Sequence, residues 1–448
     1  MKHLFLIRHA KSSWTDEQLS DKERPLNPRG LSQLLPFRRA LAQAGAFDGP
    51  VYASDATRAQ ETLEGILPEP LRPGQVTTCP ELYTFNWRKL AHWLQHLDNG
   101  DCVAIVGHNP ALLELAGWLL KHPPAHLPTA SLIHIRLSIK HWDQLARHTG
   151  KLETFLTPAE YSYGHFARKR KKPANDSDIP SSLLEQTALI QQLQPGVVQG
   201  LDDEFLHQYR VAIRRSRAIA ESLQEVTGDK LLARSILQLK RHANATSHLR
   251  DLHVFLSDLP ELCQEDSQTR QTLVAYLSRR AGKEHKKLVK RLSSKRYLDS
   301  IAVWEGFIES RNFRKLASKL SSASICKAVT RRGREFNRRT AELTHLSPDE
   351  DIHSLRKRLK RLRYLMELAP SHWKKPLKGI KARQDRYGRF QDLCVQIKLV
   401  EEFMAGEAGA SDANLLPVHS ALSAKKALSR TEILALGSLD CTPDTKME

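Results

Sequence analysis

His9 closes the segment Leu6-Ile7-Arg8-His9-Ala10-Lys11-Ser12, in which a short apolar run is cut off by Arg8. A neutral imidazole in such a place is a nucleophile for phosphorus and forms a phosphohistidine. The transfer needs cations on the phosphoryl oxygens, and the planar fork of an arginine suits them. Arg8 is adjacent to the imidazole. Two further segments match the same need. Tyr52-Ala53-Ser54-Asp55-Ala56-Thr57-Arg58 carries Arg58, and Ala104-Ile105-Val106-Gly107-His108-Asn109-Pro110 carries His108. Gly107 permits a tight turn there, and Pro110 fits the first turn of a following helix.

The elements that must position these groups alternate. Apolar runs at 3–7, 50–54, 102–106 and 132–137 read as strands, and helical periodicity covers about 29–44, 56–66, 86–97 and 109–121. Strands alternating with helices imply a mainly parallel sheet with helices on both faces. Ligands bind such sheets beyond the carboxyl ends of the strands, where His9, Arg58 and His108 all fall.

The rest of the chain is different. Residues 1–160 carry 17 Lys and Arg against 16 Asp and Glu, whereas 161–448 carry 52 against 34, so nearly all of the net charge of +19 lies in the second part. A basic half joined to a neutral one calls for a polyanion: nucleic acid, an anionic membrane or a phosphate polymer. At 448 residues, two or three domains are expected. A charged, proline-containing stretch over 161–180 reads as a basic linker, and long helical patterns follow to about 408. The tail, 409–448, is poorer in pattern and is expected to be partly disordered. No apolar run reaches the ~18 residues of a membrane span, and none near the start serves as a signal-peptide core, so a cytoplasmic protein without a membrane partner is expected. The six cysteines (Cys79, Cys102, Cys263, Cys326, Cys394 and Cys441) are scattered and read as free buried thiols.

An internal repeat runs through the basic half. Leu206-His207-Gln208-Tyr209-Arg210 returns as Ile352-His353-Ser354-Leu355-Arg356, and a second pair follows in the same order around Asp251 and Asp392. On a helix, His207, Arg210, Arg214 and Arg217 form one narrow stripe, and so do His353, Arg356, Lys360 and Arg363. Like charges at neighbouring helical positions repel, so two such stripes at equivalent places argue for a shared polyanion groove.

The segments LIRHAKSSW, ERPLNPRG, SDATRAQET and VGHNPAL, in this order, resemble the histidine phosphatase superfamily, the phosphoglycerate-mutase-like group, and within it the SixA-type phosphohistidine phosphatases. The resemblance implies a three-layer α/β domain over 1–160, with His9 as nucleophile and Arg8, Arg58 and a charged, donating His108 as its phosphate pocket. It implies phosphoryl transfer to His9 and then hydrolysis, with neither metal nor cofactor, and stabilisation mainly by the pocket charges. Arg24, Pro25, Leu26, Asn27, Arg29 and Gly30 would border the site, and Glu81 is the candidate general acid. The short stretch between 58 and 102 leaves little room for a lid, which favours a bulky substrate such as a protein phosphohistidine.

The repeated H-x-x-R-x-x-x-[RK]-x-x-R pattern resembles the CHAD domain, over about 180–405. This resemblance implies an all-α domain of two duplicated four-helix bundles around a basic channel, with inorganic polyphosphate as partner. The lining implied is His207, Arg210, Arg214, Arg217, Lys240, His353, Arg356, Lys360, Arg363 and Lys381, with Arg215, Arg241, Lys357 and Arg361 at the rim. Asp251 and Asp392 read as packing or capping residues. The stripes have few aromatics, which favours polyphosphate over nucleic acid. The expectation is a phosphatase tethered to polyphosphate, located on polyphosphate granules in the cytoplasm. Two alternatives are a polyphosphate-binding scaffold with a weakly active phosphatase fold, and an exopolyphosphatase.

Overall fold

The computed structural model describes every residue except 17, 69–73, 99, 170–177, 263–267, 370–371, 407–414 and 445–448. Cys263 and most of the basic run after Arg168 therefore lie outside the described residues. The chain divides into two compact units, Met1–Lys171 with Gln199–Asp202, and Lys172–Val198 with Asp203–Glu448.

The first unit is a sheet between helices. In chain order it contains β1 (Lys2–Arg8), α1 (Pro28–Ala44), β2 (Val51–Ala53), α2 (Thr57–Ile66), β3 (Val76–Thr78), α3 (Trp87–Gln95), β4 (Cys102–Gly107), α4 (Ala111–Leu119), β5 (Leu132–Leu137), β6 (Gly150–Leu156), α5 (Pro158–Tyr161) and α6 (Tyr163–Lys169). The strands lie in the order β3-β2-β4-β1-β5-β6. The first four are mutually parallel, and β5 and β6 add antiparallel pairs at the other edge. A strand covered on both faces is apolar throughout, because alternate residues enter different cores. Leu4 and Leu6 pack with Val103, Ile105 and the helices α3 and α4, while Phe5 and Ile7 pack with Val106, Val51 and the helices α1 and α2. Strand β3 was not expected, being short and exposed, and β6, the last strand ahead of the linker, alternates polar with apolar residues at an edge.

The second unit is helical. Its first half holds α7 (Ile179–Gln199), α8 (Asp203–Thr227), α9 (Lys230–Ala245), α10 (Ser247–Asp258) and α11 (Gln268–Leu292). A connecting pair follows, α12 (Lys295–Glu309) and α13 (Arg311–Ala317). The second half holds α14 (Ser322–Ala341), α15 (Asp349–Met366), α16 (Lys374–Met404) and α17 (Leu416–Leu434). The repeat is visible in the helices, since α8 and α15 begin at equivalent aspartates and α9 with α10 corresponds to the single long α16.

The two copies differ at one place for a local reason. Thr246 interrupts the first copy, where its hydroxyl donates to the Ala243 carbonyl and Arg210 Nη1 donates to Ala243 O at 3.2 Å and Thr246 Oγ1 at 2.6 Å. Such side-chain bonds compete with the helix ladder. Tyr387 and Gly388 stand there in the second copy, Tyr387 is fully buried, and the helix continues.

Two boundaries need correction. The linker does not begin at 161, because Tyr161 is buried in the sheet domain, where its hydroxyl donates to Ala130 O, and α6 runs on to Lys169. The tail after 408 is not simply a tail. Its α17 packs on α16, and Ile433 and Leu439 enter the core of the second bundle. Of the described cysteines only Cys326 is fully buried; Cys79, Cys102, Cys394 and Cys441 are half-buried free thiols.

Candidate functional site

Strand register brings the phosphate chemistry together. Arg8 of β1 pairs with Gly107 of β4, and Ala53 of β2 pairs with Val106. His9, His108 and Ser54 therefore leave three neighbouring strands in one layer, fixed by His9 N to Gly107 O at 3.2 Å and Ser54 N to Val106 O at 3.0 Å. Arg58 reaches the same point from the first turn of α2, and all four of His9, Arg58, His108 and Ser54 are buried.

The loop after His9 is held by the ERPLNPRG stretch. Asn27 caps α1 by accepting from Gly30 N, and its own N–H donates to Lys11 O at 2.9 Å. Gly30 lies so close to the loop that a Cβ there would stand 2.3 Å from Lys11 O. Glu61 accepts from Leu26 N at 2.6 Å. Arg24 donates to Ser13 O at 2.9 Å and Ser12 Oγ at 3.1 Å and lies over the Trp14 ring. Arg29 is exposed on α1.

The protonation of His9 is fixed by its partners. Its Nδ1 lies 2.7 Å from the Ala10 carbonyl, which only accepts, so Nδ1 carries the proton and Nε2 presents the lone pair. Burial first, then the neighbouring His108, with Arg58 and Arg8 adding to it against the pull of the Ala10 carbonyl, push the imidazole down to about 3. Arg58 Nε faces Nε2 at 3.4 Å. Arg8 donates through Nη1 to Leu127 O at 2.6 Å, and its buried Nε has no partner.

His108 differs from expectation. Burial and then Arg58 push it down to about 3, so it is neutral in the free pocket and not charged. Its Nε2 shares a 2.8 Å hydrogen bond with Ser54 Oγ, and its buried Nδ1 has no partner. The Tyr83 ring stands edge-on to it at 5.3 Å, with Phe85 at 5.8 Å.

The carboxylate beside the pocket is one the sequence reasoning missed. Asp21 accepts from Arg58 Nη2, Arg24 Nη1 and Tyr83 OH, each at 2.8 Å, and its backbone carbonyl accepts from Arg58 Nη1. Burial raises its pKa, but the bonds from Tyr83 and Arg58 and the charges of Arg58 and Arg24 outweigh it and hold the carboxyl below its ordinary value. Asp21 sits three residues before Arg24 in a loop, a spacing that by itself marks no site. Glu81, the expected acid, lies exposed in a short turn, where its charge, after burial, helps to raise the Cys79 thiol.

The second unit brings the two basic stripes together. Helix α8 packs on α15, and a groove of about 670 Å3 is lined by His207, Arg214, Arg356, Lys360 and Arg363, with Arg389 and Lys425 added. Lys425 comes from α17, the helix in the expected tail. Five expected residues stand elsewhere. Arg210 is tied to the α9–α10 break, and Arg217 pairs with Glu221 at 3.3 Å. His353 is bonded to Gln391, and Lys240 and Lys381 are exposed outside the groove. The two lysines sit on the helices that follow each stripe, so matching them across the repeat carries no information about which face they occupy.

Burial and mutual repulsion lower the pKa values of the crowded cations. Burial, then Arg356 and Arg214, push Lys360 down to about 6, and burial with Arg214 pushes Arg210 down to about 10. Asp251 and Asp392 lie inside helices among these cations, and Asp392 lines the groove, so neither is a cap. Burial raises both carboxyls against the pull of Arg210 and Arg356.

Comparison with known proteins follows the same division. The model of the histidine phosphatase superfamily, branch 1, matches residues 4–91, and that of the CHAD domain matches residues 181–401. An uncharacterized chloroplastic protein of Arabidopsis thaliana is 38% identical over 171 residues, spanning 35% of this chain and 78% of its own. Among solved structures, a putative phosphohistidine phosphatase SixA from Agrobacterium tumefaciens is 19% identical, with 35% of this chain and 98% of that chain covered and a TM-score of 0.30. The CHAD domain from the plant Ricinus communis is 21% identical, with 62% of this chain and 97% of that chain covered and a TM-score of 0.49. Among the described residues no helix is long and apolar enough to cross a membrane, and no group of three or more His, Cys, Asp or Glu is arranged to hold a metal ion.

Proposed function

Because the chain belongs to the histidine phosphatase superfamily through its N-terminal unit and carries a CHAD domain behind it, we propose that it is a phosphatase working through a phosphohistidine at His9, with inorganic polyphosphate held in the groove of its helical unit. The observation that carries the catalytic reading is the fixed tautomer of His9, whose bare Nε2 faces Arg58 and is ringed by Arg8 and His108.

In the first step Nε2 attacks phosphorus in line with the leaving group, the P–N or P–O bond of the substrate breaks, and the phosphoryl group passes to His9. Arg8, Arg58 and His108 receive its oxygens, using donors that are already buried and oriented. Arrival of the dianion places negative charge beside His108 and screens Arg58, which favours the protonated ring against the burial that keeps it neutral in the free pocket. In the second step water attacks the phosphohistidine, phosphate leaves, and His9 returns to its starting tautomer.

The substrate class follows from the acid. Asp21 is held ionised by Arg58, Arg24 and Tyr83, so it positions Arg58 and is a poor proton donor. A phosphohistidine needs little help of that kind, because imidazole is a good leaving group. The rim also suits a protein surface, since Trp14 and Phe85 are largely exposed beside the pocket. We assign the phosphohistidine of a protein as substrate.

Phosphate release is to be measured from a phosphohistidine protein and from polyphosphate, with the full chain and with His9→Ala. Release from the phosphoprotein, lost in His9→Ala, is the expected result. Release from polyphosphate alone would make the chain an exopolyphosphatase, and release from neither would leave a polyphosphate-binding scaffold.

A further inference from the structure

The helical unit has a second cavity, of about 900 Å3, between α9, the end of α11 and the connecting helix α12. Ligand pockets commonly span ~300–1,000 Å3. The connecting pair α12–α13 stands between the two repeated halves and has no counterpart after α17 among the described residues, so this cavity belongs to one copy only. The floor is apolar and aromatic, from Leu239, Tyr297, Ile301 and Trp304. The rim carries Arg234, Arg241, Arg291, Lys295 and Arg296, all exposed and none ion-paired with a carboxylate among the described residues, against one acid, Asp299. Lys295 and Arg296 also open α12 behind the Ser294 cap, where first-turn N–H groups face outward.

His242, which lines the cavity and is 6% exposed, adds an independent observation. The Ser300 hydroxyl donates to Tyr297 O at 2.6 Å, so its oxygen accepts from His242 Nε2 at 2.8 Å. Burial and Arg291 push this imidazole down to about 4, so it is neutral. With the proton on Nε2, Nδ1 is a bare acceptor, and it is buried with no partner. A buried acceptor left unpaired is costly, and a ligand N–H would satisfy it.

We propose that this cavity binds a nucleoside polyphosphate whose base carries an exocyclic amino group, with the base on the apolar floor donating to His242 Nδ1 and the phosphates on the rim cations. Inorganic polyphosphate has no part that uses the floor or the imidazole, so the two sites take different ligands.

The test is a fluorescence titration of the full chain with ATP labelled on the ribose by N-methylanthraniloyl, displaced by ATP, by ethenoadenosine triphosphate, whose amino group is blocked, or by inorganic tripolyphosphate. ATP is expected to displace the probe at concentrations about tenfold or more below either competitor, the value of one satisfied buried acceptor. The exposed double variant Lys295→Glu/Arg296→Glu is expected to weaken probe binding by about tenfold or more. His242→Phe is expected to abolish the preference for ATP over its etheno form. Should that buried variant not fold, the exposed pair carries the test alone. Absence of probe binding, displacement by tripolyphosphate as effective as by ATP, or binding unaffected by the exposed pair would each overturn the proposal.

Discussion

Arg58 is held from two sides: its Nε stands 3.4 Å from His9 Nε2, and its Nη2 lies 2.8 Å from the Asp21 carboxylate. The carboxylate thereby fixes the guanidinium plane that must meet the transferring phosphoryl group. It is also held ionised by that arrangement, which removes it from proton transfer.

Asp21→Asn should therefore lower kcat with little change in KM. The loss should be about tenfold, the lower end for a hydrogen bond to a charged group, because Asp21 is half-exposed. Steady-state kinetics with a phosphohistidine protein checks this. A loss of a thousandfold or more would instead make Asp21 the proton donor.

The pH dependence has a definite sign. His9 falls from 6.5 to about 3 on folding, so its nucleophilic neutral form persists well below pH 6.5. The acid limb of kcat/KM in the free enzyme should show no His9 inflection near 6.5. Stability follows the same group. Between about 3 and 6.5 the unfolded chain binds the proton and the folded chain does not, so the stability His9 contributes is present above pH 6.5 and lost as pH falls toward 3. His108 acts in the same direction. Urea denaturation followed by a probe of the first unit, at steps from neutral to acid pH, should show that loss diminished in His9→Gln.

Gly30→Ala tests the loop that carries the nucleophile. Its Cβ would meet Lys11 O at 2.3 Å, a backbone atom that cannot swing away. The loop after His9 must move, at a cost of about 1–3 kcal/mol. Thermal unfolding should show a lower Tm for the first unit. Activity should fall more than the small stability loss alone would cause, since Lys11 is two residues from His9.

Much of this was legible in the chain. The strands ending in Arg8-His9 and Gly107-His108 are short apolar runs cut off by polar residues, and buried parallel strands leave that trace. The stripes on α8 and α15 were legible because both lie on one helix face and recur. Asp21 was not, because a carboxylate in a loop has no periodicity and gains its role only when the chain folds it against Arg58. Helix α17 was hidden by a mixed, weakly amphipathic sequence, although Ile433 is fully buried. Which way Lys240 and Lys381 face depends on how each helix is rotated against its neighbours, and residue spacing along one helix does not encode that.

Lys360 links the groove to protons. Burial and the charges of Arg356 and Arg214 hold it down to about 6, so above that pH it is mostly neutral in the free protein. A phosphate chain lying among Arg214, Arg356 and Arg363 removes the repulsion, and the ammonium form returns. Polyphosphate binding should then take up close to one proton at about pH 7.5, and affinity should fall by up to about tenfold per pH unit above 6. Calorimetry in two buffers with different heats of ionisation reads the uptake directly. His207 and His353, also lowered by burial, add a smaller share near neutrality. Lys360→Met should remove most of the uptake and flatten the pH slope, while Lys360→Arg, which stays charged, should flatten the slope and keep the affinity. An uptake unchanged in Lys360→Met would place the proton on the histidines, and the pH slope of the affinity would then persist in that variant.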